Sequence, residues 1–317
     1  MKPLRLASAL ASASLLFALA AFGFADNHEG HGRAVLTILP SGSGDQAATV
    51  TPEEVKIKVD GKDSSLTRIT PLRGPQNPIE LMILIDGSAR SSIGGQFNDI
   101  GAFVKEMPSN AKTGIAYMEN GRAAIMAPLS SDSADVLKGL RLPTGSAGSN
   151  GSPYFCLSDL ANHWPSSDRS ARREVVMITD GVDNYERRFD ANDPYVDAAI
   201  NDSIRSGVIV YSMYWRDTGR VDANELDNNA GQSFLQMVTQ ATGGYSFGQG
   251  IGNPVSFQPF FDDLRRRLNH QYELRFSAPF NGKPQVRNLK VELRIPSAKV
   301  EAPQRVWVSA GNTAIGE

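Results

Sequence analysis

Two stretches carry residues whose types and spacing could do chemistry together. Glu80-Leu81-Met82-Ile83-Leu84-Ile85-Asp86-Gly87-Ser88 sets an apolar run ahead of a carboxylate, a glycine and a hydroxyl. Arg173-Glu174-Val175-Val176-Met177-Ile178-Thr179-Asp180-Gly181 repeats the pattern later in the chain. A short, continuous apolar run reads as a strand buried on both faces, as in a parallel sheet. Open α/β sheets bind ligands at the edge where such strands end. Two carboxylates delivered there, with hydroxyls beside them, are hard oxygen donors suited to Mg²⁺, Mn²⁺ or Ca²⁺. Either Asp-Gly alone is as readily a turn whose side chain caps backbone amides; the pair together favours a cation site.

The elements that must position these groups follow an α/β rhythm. Ile93, Phe97, Ile100 and Val104 recur at helical spacing, so the polar turn after Asp86 joins a strand to a helix. Residues 113–118 and 123–127 read as a strand pair around the hairpin signal Asn120-Gly121. A short helix is expected over 131–140 and a Gly/Ser loop over 146–152. Tyr154, Leu157, Leu160, Ala161 and Trp164 make a helical face after that loop. Asp193 caps a further helix with Pro194 at its first position, and Gly207 closes it. A strand over 208–215 follows, then a helix ended by Gly243-Gly244. The last helix carries Phe257, Phe260, Phe261, Leu264 and Leu268, with Arg265, Arg266 and Arg267 read as a solvated face.

These residues resemble a known family. With Asp86 and Ser88 at the end of the first buried strand, Ser152 after a Gly-rich loop, and Asp180-Gly181-Val182-Asp183-Asn184 after the second, residues 79–268 resemble a von Willebrand factor A domain, in the variant found in secreted bacterial proteins. That resemblance implies a Rossmann-like fold and a metal-ion-dependent adhesion site. It implies Asp86, Ser88, Ser152 and Asp180 around a weakly held divalent cation, whose open position accepts a partner's carboxylate. Asp183 reads as a turn residue. The motif's third position is Arg90 in place of Ser, which makes the site degenerate. A guanidinium 8 Å from the cation would cost about 2 kcal/mol at an effective dielectric of 20. Arg90 either points away or bridges Asp86 and Asp180 in place of the ion. On this reading Arg90→Ser tightens divalent-cation binding.

Residues 1–25 read as a signal peptide, with Lys2 and Arg5 before an apolar middle and small residues at Gly23 and Ala25. The mature chain is expected to be secreted or periplasmic, with no membrane insertion after cleavage. A new N-terminus Asp26-Asn27-His28 would offer an amine, amides and an imidazole to Cu²⁺ or Ni²⁺. Residues 26–78 read as a β segment and linker, and 269–317 as a C-terminal β segment pairing with it. The expected whole is a doubly wound, mostly parallel sheet flanked by helices, with an accessory β-sandwich made from the N- and C-terminal strands.

Composition narrows the function. Over 317 residues, 41% are hydrophobic, 21% are charged and the net charge is -2, which suggests no nucleic-acid partner. A haloacid-dehalogenase-type phosphatase needs a second Asp where Ser88 stands. A Ser-His-Asp arrangement would have to use His163 or His270. Cys156, the one cysteine, reads as a small buried hydrophobe. The favoured reading is a non-enzymatic adhesion or assembly module that captures a protein partner offering an acidic residue. The alternatives are a metal-free envelope scaffold with Arg90 filling the site and, less favoured, a hydrolase.

Overall fold

The computed structural model describes residues 28–40, 49–185, 192–218, 224–293, 295 and 298–310. The signal segment and Asp26-Asn27 lie outside the described residues. In chain order, β1 (His28–Pro40), β2 (Val55–Val59) and β3 (Lys62–Pro71) come first. The middle of the chain runs β4 (Ile79–Asp86), α1 (Phe97–Lys105), β5 (Ala111–Glu119), β6 (Arg122–Ser130), α2 (Ser133–Leu137), α3 (Pro153–Asn162) and β7 (Arg172–Thr179). It continues through α4 (Pro194–Arg205), β8 (Val208–Tyr214), α5 (Glu225–Thr242), β9 (Ser246–Phe247) and α6 (Gln258–Leu268). β10 (Gln271–Phe280), β11 (Gln285–Leu293), β12 (Ala298–Glu301) and β13 (Arg305–Ala310) follow.

The expected doubly wound parallel sheet with an accessory β-sandwich is not what forms. The middle strands build a mixed sheet in the order β6-β5-β4-β7-β8-β9. β4, β5, β7, β8 and β9 run parallel, and β6 runs antiparallel beside β5. The cause is local: Asn120 and Gly121 both take positive φ, 52° and 74°, so the chain turns straight back in a tight hairpin.

The outer strands close into a six-stranded antiparallel barrel, β1-β10-β3-β2-β11-β13 and back to β1, with β12 added along the end of β1. A sandwich would leave edges; this sheet closes because β1 is long enough to pair β10, β13 and β12 in succession. Gly30 and Gly32 make that closure sterically feasible. A Cβ at Gly30 would lie 2.7 Å from the Phe280 Cβ, and one at Gly32 would lie 2.6 Å from the Phe276 ring. The barrel's core holds Leu36, Ile38, Leu274, Phe276 and Val308.

In the mixed sheet, successive β4 side chains point to opposite faces. Leu81, Ile83 and Ile85 pack with α1 and α6; Met82 and Leu84 pack with α3, α4 and α5. Burying each such side chain stabilises the fold by roughly 1.5–3 kcal/mol, so β4 is anchored from both sides. The basic triplet of α6 departs from a solvated face. Arg267 is buried, donates to Asp263 Oδ2 at 2.7 Å and to Glu301 of β12, and stacks 3.8 Å from the Tyr245 ring centroid. It ties the barrel to the mixed sheet.

Candidate functional site

β4 and β7 are neighbours and end at the same edge of the sheet, which delivers Asp86 and Asp180 side by side. Both are fully buried. Asp86 Oδ1 accepts from the Ser88 N–H at 2.8 Å, folding the turn after β4 onto its own carboxylate. Asp86 Oδ2 accepts from the Thr179 hydroxyl at 2.6 Å and from Asn150 Nδ2 at 3.1 Å. Asp180 Oδ1 accepts from the Val182 N–H at 2.9 Å, and its Oδ2 accepts from the Thr218 hydroxyl at 2.5 Å. The close approach of α5 holds this turn. Gly181 sits at φ 71°, and a Cβ on Gly231 of α5 would lie 2.3 Å from the Asp180 carbonyl oxygen.

The loop before α3 closes the site from the other side. Asn150 donates its backbone N–H to Ser88 Oγ at 3.2 Å, so Ser88 is joined to that loop. Ser152 is buried at the N-cap of α3 with Pro153 behind it, and its Oγ accepts from the Tyr154 N–H at 3.3 Å. Among the described residues, no hydrogen bond joins its hydroxyl to Asp86, Ser88 or Asp180. Asp183 Oδ1 accepts from the Tyr185 N–H at 2.8 Å, a turn contact.

Arg90 does not bridge the carboxylates. Its side chain is 57% exposed and its Nε lies 3.4 Å from Asp217 Oδ1, while its N–H donates to the Asp217 carbonyl at 3.0 Å. The scaffold alternative built on Arg90 filling the site is therefore corrected: the guanidinium faces outward and braces the loop after β8. That loop carries Thr218, the partner of Asp180.

The electrostatics follow from burial. Desolvation, then the charge of Asp180, raise the Asp86 carboxyl to about 6 against the hydrogen bonds from Thr179 and Ser88. The Tyr154 hydroxyl, which donates to the Gly181 carbonyl at 2.6 Å, is pushed well above its ordinary value by burial and by Asp183, Asp180 and Asp193. Cys156 is buried behind the loop, donates its thiol to the Asn150 carbonyl at 3.3 Å and is raised by burial. A thiol so held is no nucleophile. Among the described residues the donors to Asp86, and the Val182 N–H and Thr218 hydroxyl at Asp180, are neutral groups.

Sequence reasoning missed Asn150, Thr179 and Thr218. Thr179 stands beside Asp180 at the strand end, which was a usable signal. Asn150 and Thr218 sit in irregular loops, where no periodicity marks them.

Oxygen donors in this number and charge are what a hard divalent cation takes, and the repulsion between two buried carboxylates is what such a cation relieves. The donor set fits the ion chemically. Among the described residues, no group of three or more His, Cys, Asp or Glu is arranged to hold a metal, so hydroxyls and water would complete the shell.

No family model and no curated protein matches the sequence. Solved structures do resemble the fold. An aerotolerance-related membrane protein from Bacteroides fragilis NCTC 9343, crystallised with multiple mutations to serines, is 18% identical with a TM-score of 0.42, over 60% of this chain and 98% of that one. The conserved hypothetical protein BatB from Bacteroides thetaiotaomicron is 16% identical with a TM-score of 0.41, over 60% of this chain and 97% of that one. Proximal thread matrix protein 1 from the mussel byssus, solved with a zinc-occupied MIDAS motif, is 13% identical with a TM-score of 0.41, over 67% of this chain and 49% of that one. At these identities and scores the likenesses carry no argument about what this chain does.

Proposed function

We propose that this chain is an exported, non-enzymatic protein-binding module of the von Willebrand factor A type. It captures an acidic side chain of a partner through a divalent cation held by Asp86, Ser88, Ser152 and Asp180. The observation that carries this reading is the meeting of two buried carboxylates from neighbouring strands, with the nearby guanidinium of Arg90 turned away. A bound Mg²⁺, Mn²⁺ or Ca²⁺ would supply the positive centre that a partner's carboxylate completes. In the chain itself, Asp86 and Asp180 provide the charge, and Ser88 and Ser152 the neutral oxygens. Thr179, Thr218 and Asn150 orient the carboxylates, as hydrogen-bonded outer groups do in metal sites.

One observation favours a second, metal-free reading. Among the described residues Asp86 already accepts three hydrogen bonds, and Asp180 accepts from Val182 and Thr218, so the edge can serve as a purely structural knot of loops in an envelope assembly. Calorimetric titration of the full mature chain with Mg²⁺, Mn²⁺ and Ca²⁺ separates the two. The cation reading expects one-to-one binding by at least one ion and a loss of at least about tenfold in Asp86→Asn, because a charged ligand is removed. No binding, or equal binding by the variant, overturns it in favour of the scaffold.

A further inference from the structure

The start of β7 opens into a cavity of about 700 Å³ between the barrel and the mixed sheet, at the end opposite the carboxylates. The volume suits a small ligand. Its lining is cationic, and Glu273 is the one acidic side chain in it among the described residues.

The barrel side of this cavity is a row. Arg33 of β1 pairs directly across from Arg275 of β10, and Arg275 directly across from Arg68 of β3. Directly opposed residues share a face of the sheet, and like charges so placed destabilise it. Glu273 answers two of the three, bonding to Arg33 and, at 2.6 Å, to Arg275. Arg68 is exposed and makes no ion pair among the described residues.

The sheet side repeats the crowding. Arg173 stacks 5.5 Å from the Trp164 ring centroid and donates to the Ser166 and Ser206 carbonyls at 3.2 and 3.4 Å, which fixes its guanidinium in place. Arg172 is 5% exposed and donates one nitrogen to the Leu268 carbonyl at 3.1 Å and to Gln271, while its Nε is buried with no hydrogen-bond partner among the described residues. Burial, and then the charge of a neighbouring arginine, lower both: Arg33 acts on Arg172 across the cavity, and Arg169 acts on Arg173. Glu174 draws Arg172, and Glu80 and Asp168 draw Arg173, from behind the lining.

We propose that this cleft binds a small multivalent oxyanion bearing phosphate or carboxylate groups, gripped by Arg33, Arg68 and Arg275 from the barrel and by Arg169, Arg172 and Arg173 from the sheet. Planar guanidinium forks match both kinds of oxyanion in bidentate fashion. Filling the cleft with negative charge relieves the repulsion along the row and across the cavity. The site is independent of the cation edge, since it uses the other end of the same strands.

The test is calorimetry on the full mature chain in EDTA, which silences any metal-dependent binding. Inorganic tripolyphosphate and tricarballylate are the two probes. We expect one-to-one binding of at least one of them, weakened as salt is raised. Tripolyphosphate alone assigns the cleft to phosphates; tricarballylate alone assigns it to carboxylates. Arg68→Gln with Arg275→Gln should weaken binding at least about tenfold, since two charge-assisted donors are lost. Both positions are exposed and Glu273 keeps its bond to Arg33, so without ligand the double variant should melt within a few degrees of wild type, the lost Arg275–Glu273 pair offset by relief of like-charge crowding. Arg216→Gln, in the loop after β8, should bind as wild type does. No binding of either probe, or equal binding by the double variant, overturns the proposal.

Discussion

The two ends of β7 carry opposite chemistry on one rigid strand. Arg172 and Arg173 open it and Asp180 follows its end, about 23 Å away at the rise of an extended strand. At the carboxylate end, Asp86 accepts from neutral donors among the described residues: the Ser88 N–H, the Thr179 hydroxyl and the Asn150 amide. At the arginine end, buried guanidinia are met by Glu174 and Gln271, and the remaining excess faces a cavity. The difference teaches that one strand can gather carboxylates at one end and guanidinia at the other. On the proposed readings one end takes a cation and the other an anion, and the apolar middle of the strand, buried among aliphatic side chains, keeps them apart.

If the two ends are independent, damage at the arginine end should leave the other intact. Arg267→Ala should have the largest effect, a loss of about 3–4 kcal/mol in unfolding free energy, because it removes a buried guanidinium's charge-assisted bonds to Asp263 and Glu301 and its stack on Tyr245. Chemical denaturation reads that loss, while divalent-cation affinity at the Asp86 edge should stay at its wild-type value. A parallel loss of cation affinity would join the two regions into one unit.

The next test sharpens the arginine end. Glu174 accepts from Gln271 at 3.0 Å in full burial, and desolvation raises its carboxyl from 4.5 to about 7 despite Arg172. The folded chain therefore holds this proton to higher pH than the unfolded chain does. The sign follows: the stabilising contribution is complete below about 4.5, declines as pH rises, and is gone above about 7, a change of about 3 kcal/mol. Urea midpoints at pH 5 and pH 8 should differ more in wild type than in Glu174→Gln. Equal differences in the two proteins would show that Glu174 does not titrate in that window.

The smallest effect is expected at Arg90. From the sequence, Arg90→Ser should tighten cation binding; in the structure the guanidinium is exposed and paired with Asp217, so the change should be within about twofold. A larger gain in Mg²⁺ affinity would mean that the side chain reaches back toward Asp86.

Much of the site was legible because it sits on strong periodic signals. The apolar runs before Asp86 and Asp180 can only be strands buried on both faces, and strand ends in such a sheet share an edge. Asn120-Gly121 marked the β5–β6 hairpin, though not its consequence, an antiparallel edge that makes the sheet mixed. Barrel closure was hidden because its signal is an absence of side chains. Gly30 and Gly32 look like a polar, flexible tail in sequence, yet they are the positions where Phe280 and Phe276 crowd the closing strand. The arginine row was equally invisible. Arg33, Arg68 and Arg275 are far apart in the chain and meet only through cross-strand register. Thr218 and Asn150 reach their carboxylates from irregular loops, where spacing carries no information.

The central claim is that Asp86 and Asp180 hold one divalent cation between them. Crystals of the protein grown with Mn²⁺ and measured for anomalous scattering test it most directly. The account predicts one strong anomalous peak with an oxygen of each carboxylate, or a water bound to it, within about 2.0–2.6 Å. A map with no peak at this edge, or with the Asn150 and Thr218 hydrogen bonds unchanged and the manganese elsewhere, would contradict it.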